Sequence, residues 1–135
     1  MGMSTNSYTI AQRAIFSLLD EAGSEDAAAL INTVFLGLRS REEFKRIGAE
    51  LLSLAELGLI ELRMELEHSL GEALDKQEQR DLLLSLDSKF LWSEAEQLWK
   101  WQLEERAVIQ LTDFGKSEVE AVLTEHGWQS PIGNG

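Results

Sequence analysis

The feature that most constrains this fold is a change of hydrophobic period at Gly58. Before it, Phe44, Ile47, Leu51 and Leu54 recur at three- and four-residue steps, which predicts a helix with one buried face and with Arg41, Lys45, Arg46, Glu50 and Ser53 toward solvent. After it, Ile60, Leu62, Met64 and Leu66 alternate with Glu61, Arg63, Glu65 and Glu67, which predicts a strand with one face on a core and one in water. Glycine at the junction tolerates the left-handed backbone that ends a helix sharply, so the strand must leave directly from the helix end. Ser40 and Glu43 have the spacing of a reciprocal capping box and mark where the helix begins.

Two further helices are expected upstream. Ala11, Ala14, Ile15, Leu18 and Ala22 follow Thr9 at helical spacing, and Gly23 supplies a stop. Ser24 is positioned as an N-cap, with Glu25 and Asp26 suited to the positive end of the helix dipole. Ala27, Leu30, Ile31, Val34 and Phe35 then form an apolar stripe running to about Leu36, before a turn at Gly37. Downstream, residues 69–104 read as two helices. Ser69 with Glu72 would cap the first, ahead of Leu70, Leu74, Gln77, Asp81 and Leu84, and Ser93 with Glu96 would cap the second, ahead of Leu98 and Trp99. Arg106–Leu111 reads as a short strand. Thr112 caps a last helix that buries Val119, Val122 and Leu123 and closes at Gly127. Residues 1–8 read as a loose arm and residues 128–135 as a tail.

With 135 residues and 44% hydrophobic content the chain matches one domain with one core. No run reaches the roughly 20 apolar residues of a membrane span, and the opening residues lack a signal-peptide pattern, so a cytoplasmic protein with no membrane partner is expected. The absence of cysteine removes disulfides, thiolate zinc sites and thiol nucleophiles. His68 and His126 are far apart, and neither a phosphate-cradling glycine loop nor a metal-ligand spacing occurs. The expectation is a non-enzyme without catalytic residues, cofactor or metal.

Two segments carry a family resemblance. Residues 40–63, SREEFKRIGAELLSLAELGLIELR, resemble the recognition helix and first wing strand of MarR-like and PadR-like transcriptional regulators. Residues 108–123, VIQLTDFGKSEVEAVL, resemble the second wing strand and closing helix of the same families. The resemblance implies a mainly α fold with a small antiparallel β-hairpin (α+β), a winged helix-turn-helix over residues 9–127, with a helical insertion at 69–104 between the wing strands. It further implies a dimeric, double-stranded DNA-binding regulator of transcription, in which Arg39, Ser40, Arg41, Lys45 and Arg46 at the start of the third helix meet the major groove.

Charge points the other way. Twelve basic residues face 24 acidic ones, for a formal net charge of -12, and such a surface repels polyphosphate at long range. An acidic winged-helix protein-interaction module that never touches nucleic acid is therefore the alternative. Trp92, Trp99 and Trp101 lie together in the insertion and are candidates for a partner or dimer contact. On a helix starting at Ser93, Trp99 would face inward and Trp101 outward.

Overall fold

The computed structural model describes residues 7–35 and 40–128. Its elements are α1 (Ile10–Ala22), β1 (Ser24–Asp26), α2 (Ala27–Val34), α3 (Arg41–Glu56), β2 (Ile60–Leu66), β3 (Ser69–Ala73), α4 (Lys76–Leu84), a 3-10 turn (Leu86–Lys89), β4 (Phe90–Ser93), β5 (Leu98–Trp101), β6 (Arg106–Leu111) and α5 (Asp113–His126). The fold is mixed α+β, with an antiparallel sheet ordered β1-β6-β2-β3 and a separate β4-β5 hairpin.

The period change at Gly58 becomes a Schellman turn. Gly58 has φ +77°, its N–H donates to Ala55 O at 3.0 Å, and the Leu59 N–H donates to Leu54 O at 3.0 Å. Leu54 and Leu59 are both fully buried, giving the apolar contact that accompanies this motif. The chain then enters β2, whose partner is β6, with Ile60 opposite Leu111 and Glu65 opposite Arg106. Thr112 locks the Gly58 end of that pair. Its N–H donates to Leu59 O at 3.0 Å, its hydroxyl donates to Gly58 O at 2.6 Å, and the same oxygen accepts the Gly115 N–H at 2.9 Å to cap α5. Gly115 must lack a side chain, because a Cβ there would sit 1.9 Å from Leu59 O.

Several upstream expectations change. Ser24 is not a helix cap, because Ser24–Asp26 form β1 and pair with Val108–Gln110 of β6; Asp26 caps α2 instead, accepting the Ala29 N–H at 2.8 Å. Pairing satisfies backbone groups along β6 that would otherwise lie open, which outweighs a helix turn begun at Ser24. In α1 the buried stripe is rotated. Phe16 and Leu19 are fully buried with Ala14 and Ile15, whereas Ala11 and Leu18 are half-buried and Ala22 is exposed. Ser40 caps α3 through the Glu42 N–H at 3.1 Å rather than through a reciprocal pair with Glu43. Nor is the whole arm loose, since Tyr8 packs edge-on against Phe16 at 4.9 Å and donates to Glu118 at 2.9 Å. The turn expected at Gly37, residues 1–6 and residues 129–135 lie outside the described residues.

The segment between β2 and β6 is not two helices. Ser69 and Glu72 lie in β3, and the capping box with that spacing belongs to Asp75 and Glu78 at the start of α4. Ser93 and Glu96 span the β4-β5 hairpin turn. The Glu96 N–H does donate to Ser93 Oγ at 3.2 Å, as in a cap, but Gln97 at φ +56° returns the chain into β5. Leu83, Leu86, Phe90 and Trp99 from this segment join Phe16, Phe44 and Leu51 in one buried cluster. Phe44 meets Phe90 at 4.8 Å and Trp99 at 4.9 Å between ring centroids. Asn32 of α2 clamps β5 on both sides of one residue, donating to Trp99 O at 2.8 Å and accepting the Trp99 N–H at 2.9 Å.

Candidate functional site

With 100° per residue, α3 has three sides. Phe44, Ile47, Leu51 and Leu54 are buried on the first. The second carries Gly48, Leu52 and Ala55 and lies against α4, so closely that a Cβ on Gly48 would stand 2.3 Å from Leu83 O. Glu42, Lys45, Arg46, Ala49, Ser53 and Glu56 make up the third, which is exposed.

Of the five residues expected to meet DNA, the four that are described take different roles. Arg41 reaches across to the insertion, where its guanidinium donates to the carbonyls of Asp87 and Phe90, the latter at 3.2 Å, and lies 5.8 Å from the centroid of the Trp99 ring. A cation there meets the carbonyl end of the 3-10 turn and an aromatic ring together, both favourable positions for positive charge. Ser40 serves as the cap, and Arg39 lies outside the described residues. Lys45 and Arg46 are exposed side by side, with Glu42 and Glu43 on the preceding turn. Those four charges cancel, so the open side of α3 has no positive excess.

The tryptophans also stand differently from the helical reading. Phe90 pairs with Trp101 and Trp92 with Trp99 across the hairpin, so all four rings share one face. Trp99 is buried, and Trp101 is half-buried, packing edge-on against Phe90 at 5.2 Å and donating its indole N–H to Glu105 O at 2.6 Å. Trp92 is half-buried against Trp99 at 5.5 Å and donates to Glu94 at 3.0 Å. Trp101 is therefore not the outward residue of the three. Strand period puts residues two apart on the same side, where helical period would separate them by about 200°. Sequence periodicity missed Trp128, which is 55% exposed just beyond α5.

The two faces of the sheet contrast in how they treat charge. On the outer face Arg106 meets Glu65 at 2.9 Å and Asp26 at 4.0 Å, Arg63 meets Glu61 at 3.7 Å, and Gln110 donates to Glu61 at 2.7 Å. Each carboxylate there has a polar or cationic neighbour. On the core face, Met64 and Leu66 continue the line of Ile60 and Leu62 beyond the core and, with Leu74, floor an open groove of about 610 Å³. Glu67, Glu72, Glu78 and Glu105 also line it, and no lysine or arginine does. None of these four carboxylates is in an ion pair among the described residues. Glu78 has an internal role, accepting the Asp75 N–H at 3.1 Å. Among the described residues no group of three or more His, Asp or Glu is placed to hold a metal ion.

Compared with family models, curated proteins and solved structures, the chain matches none.

Proposed function

We propose that this chain is a winged-helix protein-interaction module that recognises other proteins and does not read DNA. Three helices, the β2-β6 pair and the closing α5 follow the order that the resemblance to winged-helix regulators implies, which supports the scaffold. Use must be argued from the surface, because scaffold does not fix function. The observation that carries the reading is Arg41, an exposed cation at the start of α3 whose guanidinium is bonded to the carbonyls of Asp87 and Phe90 instead of standing free for a phosphate or base. Releasing it would strip those carbonyls of a charged donor, and α4 covers the adjoining flank of α3.

DNA binding remains a second reading because Lys45 and Arg46 are adjacent and exposed on α3. One measurement separates the two. Fluorescence anisotropy against a random-sequence duplex pool at low salt should show no saturable binding, and Lys45→Glu with Arg46→Glu should change nothing. Saturable binding that weakens steeply with salt and disappears in the double variant would overturn the module reading in favour of a regulator.

A further inference from the structure

The groove beside β3 combines apolar side chains with four carboxylates in its lining. Leu66, one of those apolar side chains, is 39% exposed, and β3, exposed along its whole length, is the last strand of its sheet. An open strand edge offers backbone donors and acceptors to an incoming extended chain. The acidic groups come from four separate places: Glu67 from the turn after β2, Glu72 from β3, Glu78 from α4 and Glu105 from the entry to β6. Spread in this way they suit a run of cationic side chains better than a point cation. Polyphosphate and anionic lipid would be repelled by the same carboxylates.

We propose that this groove docks an extended segment of another protein that carries both basic and aliphatic side chains. Lysine or arginine would meet the carboxylates of Glu67, Glu72 and Glu105, while leucine-type side chains would cover Met64, Leu66 and Leu74. The proposal rests on the interaction-module reading and supplies its site and the chemistry of its partner. The outer face of the sheet offers no such site, because its carboxylates already have Arg63, Arg106 and Gln110 as neighbours.

The test uses the full chain, isotope-labelled for NMR, and a short synthetic peptide alternating lysine and leucine, with oligolysine of equal charge as a second probe. The alternating peptide should shift the amides of residues 64–74 and 105 and bind more tightly than oligolysine. Glu67→Gln, Glu72→Gln and Glu105→Gln together should weaken it about tenfold, as expected for three partly screened charge pairs. Glu78 is left intact because it caps α4. A control with the same change of charge on the far side of the molecule, Asp20→Asn with Glu21→Gln and Glu120→Gln, should leave affinity unchanged. Equal weakening by the two triple variants, oligolysine binding as tightly as the mixed peptide, no binding of either probe, or shifts confined to another surface would each overturn the groove assignment. The module reading would survive any of these outcomes, since it falls only if duplex DNA binds through Lys45 and Arg46.

Discussion

The helical body and the insertion differ in how they are held, although they share one core. In the body, residues 9–35, 40–66 and 106–127, the ends of elements are fixed locally. Thr9, Asp26, Ser40 and Thr112 cap helices, while Gly23, Gly58 and Gly127, all at positive φ, release them. In the insertion, residues 67–105, Asp75 caps α4 in the same local way, but the strands are short and partners from outside the segment hold them. Asn32 clamps β5, Arg41 holds the end of the 3-10 turn, and Gly48 admits α4. The insertion also carries ten acidic and four basic residues, half of the chain's net charge in under a third of its length. An added segment can thus be part of the core on its inner side and dominate the charge on its outer side.

The strongest way to test that description is to remove the residue on which the two regions meet. Trp99→Ala should cost about 3–5 kcal/mol, because its ring is buried against Phe44 and Trp92 and its loss leaves a cavity between them. If body and insertion form one core, denaturant unfolding followed by circular dichroism should remain a single transition and move to lower midpoint. A second, earlier transition confined to the insertion would show two separable units.

What the sequence made legible divides instead by whether an element carries a local signal. The Gly58 corner, β2, β6, the Thr112 cap and the core residues of α3 were all readable, because each has a local signal: a period, a cap or a glycine. Ser24 misled because β1 exists only through its pairing with β6, a contact remote in sequence. Residues 90–101 misled because FLWS and LWKW are too short for periodicity to separate strand from helix. At Ser93 the local signal was real, since the bond to the Glu96 amide forms, but a hairpin turn uses it. Among the candidate site residues, the exposure of Arg41, Lys45 and Arg46 was legible and the bonds of Arg41 to the carbonyls of Asp87 and Phe90 were not. Nothing along the chain indicates that residues 87–90 return to the start of α3.

A smaller change tests the seam from the α3 side. In an exposed helix Gly→Ala is stabilising by about 1 kcal/mol. At Gly48 the new methyl would meet the Leu83 carbonyl, a backbone group that can yield only if α4 moves, so a net loss of about 1–2 kcal/mol is expected for Gly48→Ala. Hydrogen exchange should show where it falls, with α4 amides losing protection while the β2-β6 ladder keeps it. A stabilised variant would mean that α4 is not seated against α3.

The smallest effect is expected where the insertion begins, and it has the opposite sign. Leu66 and Ser69 pair across a two-residue turn in which Glu67 has φ +51° and His68 φ +68°. Tight hairpins of this kind favour glycine or asparagine, because a side chain on left-handed backbone costs about 1 kcal/mol. His68→Gly should relieve most of that cost, offset by the greater freedom glycine gives the unfolded chain, for a net gain of no more than about 0.5 kcal/mol. Thermal unfolding would register this as a rise in Tm of roughly 1–2 °C for a chain of this size. His68 does not line the groove, so the lysine–leucine peptide should bind the variant as it binds the parent. Glu67 does line it, and Glu67→Asn should ease the turn while weakening the peptide. Parallel changes in stability and affinity at both positions would tie the groove to the rigidity of the turn rather than to the Glu67 carboxylate.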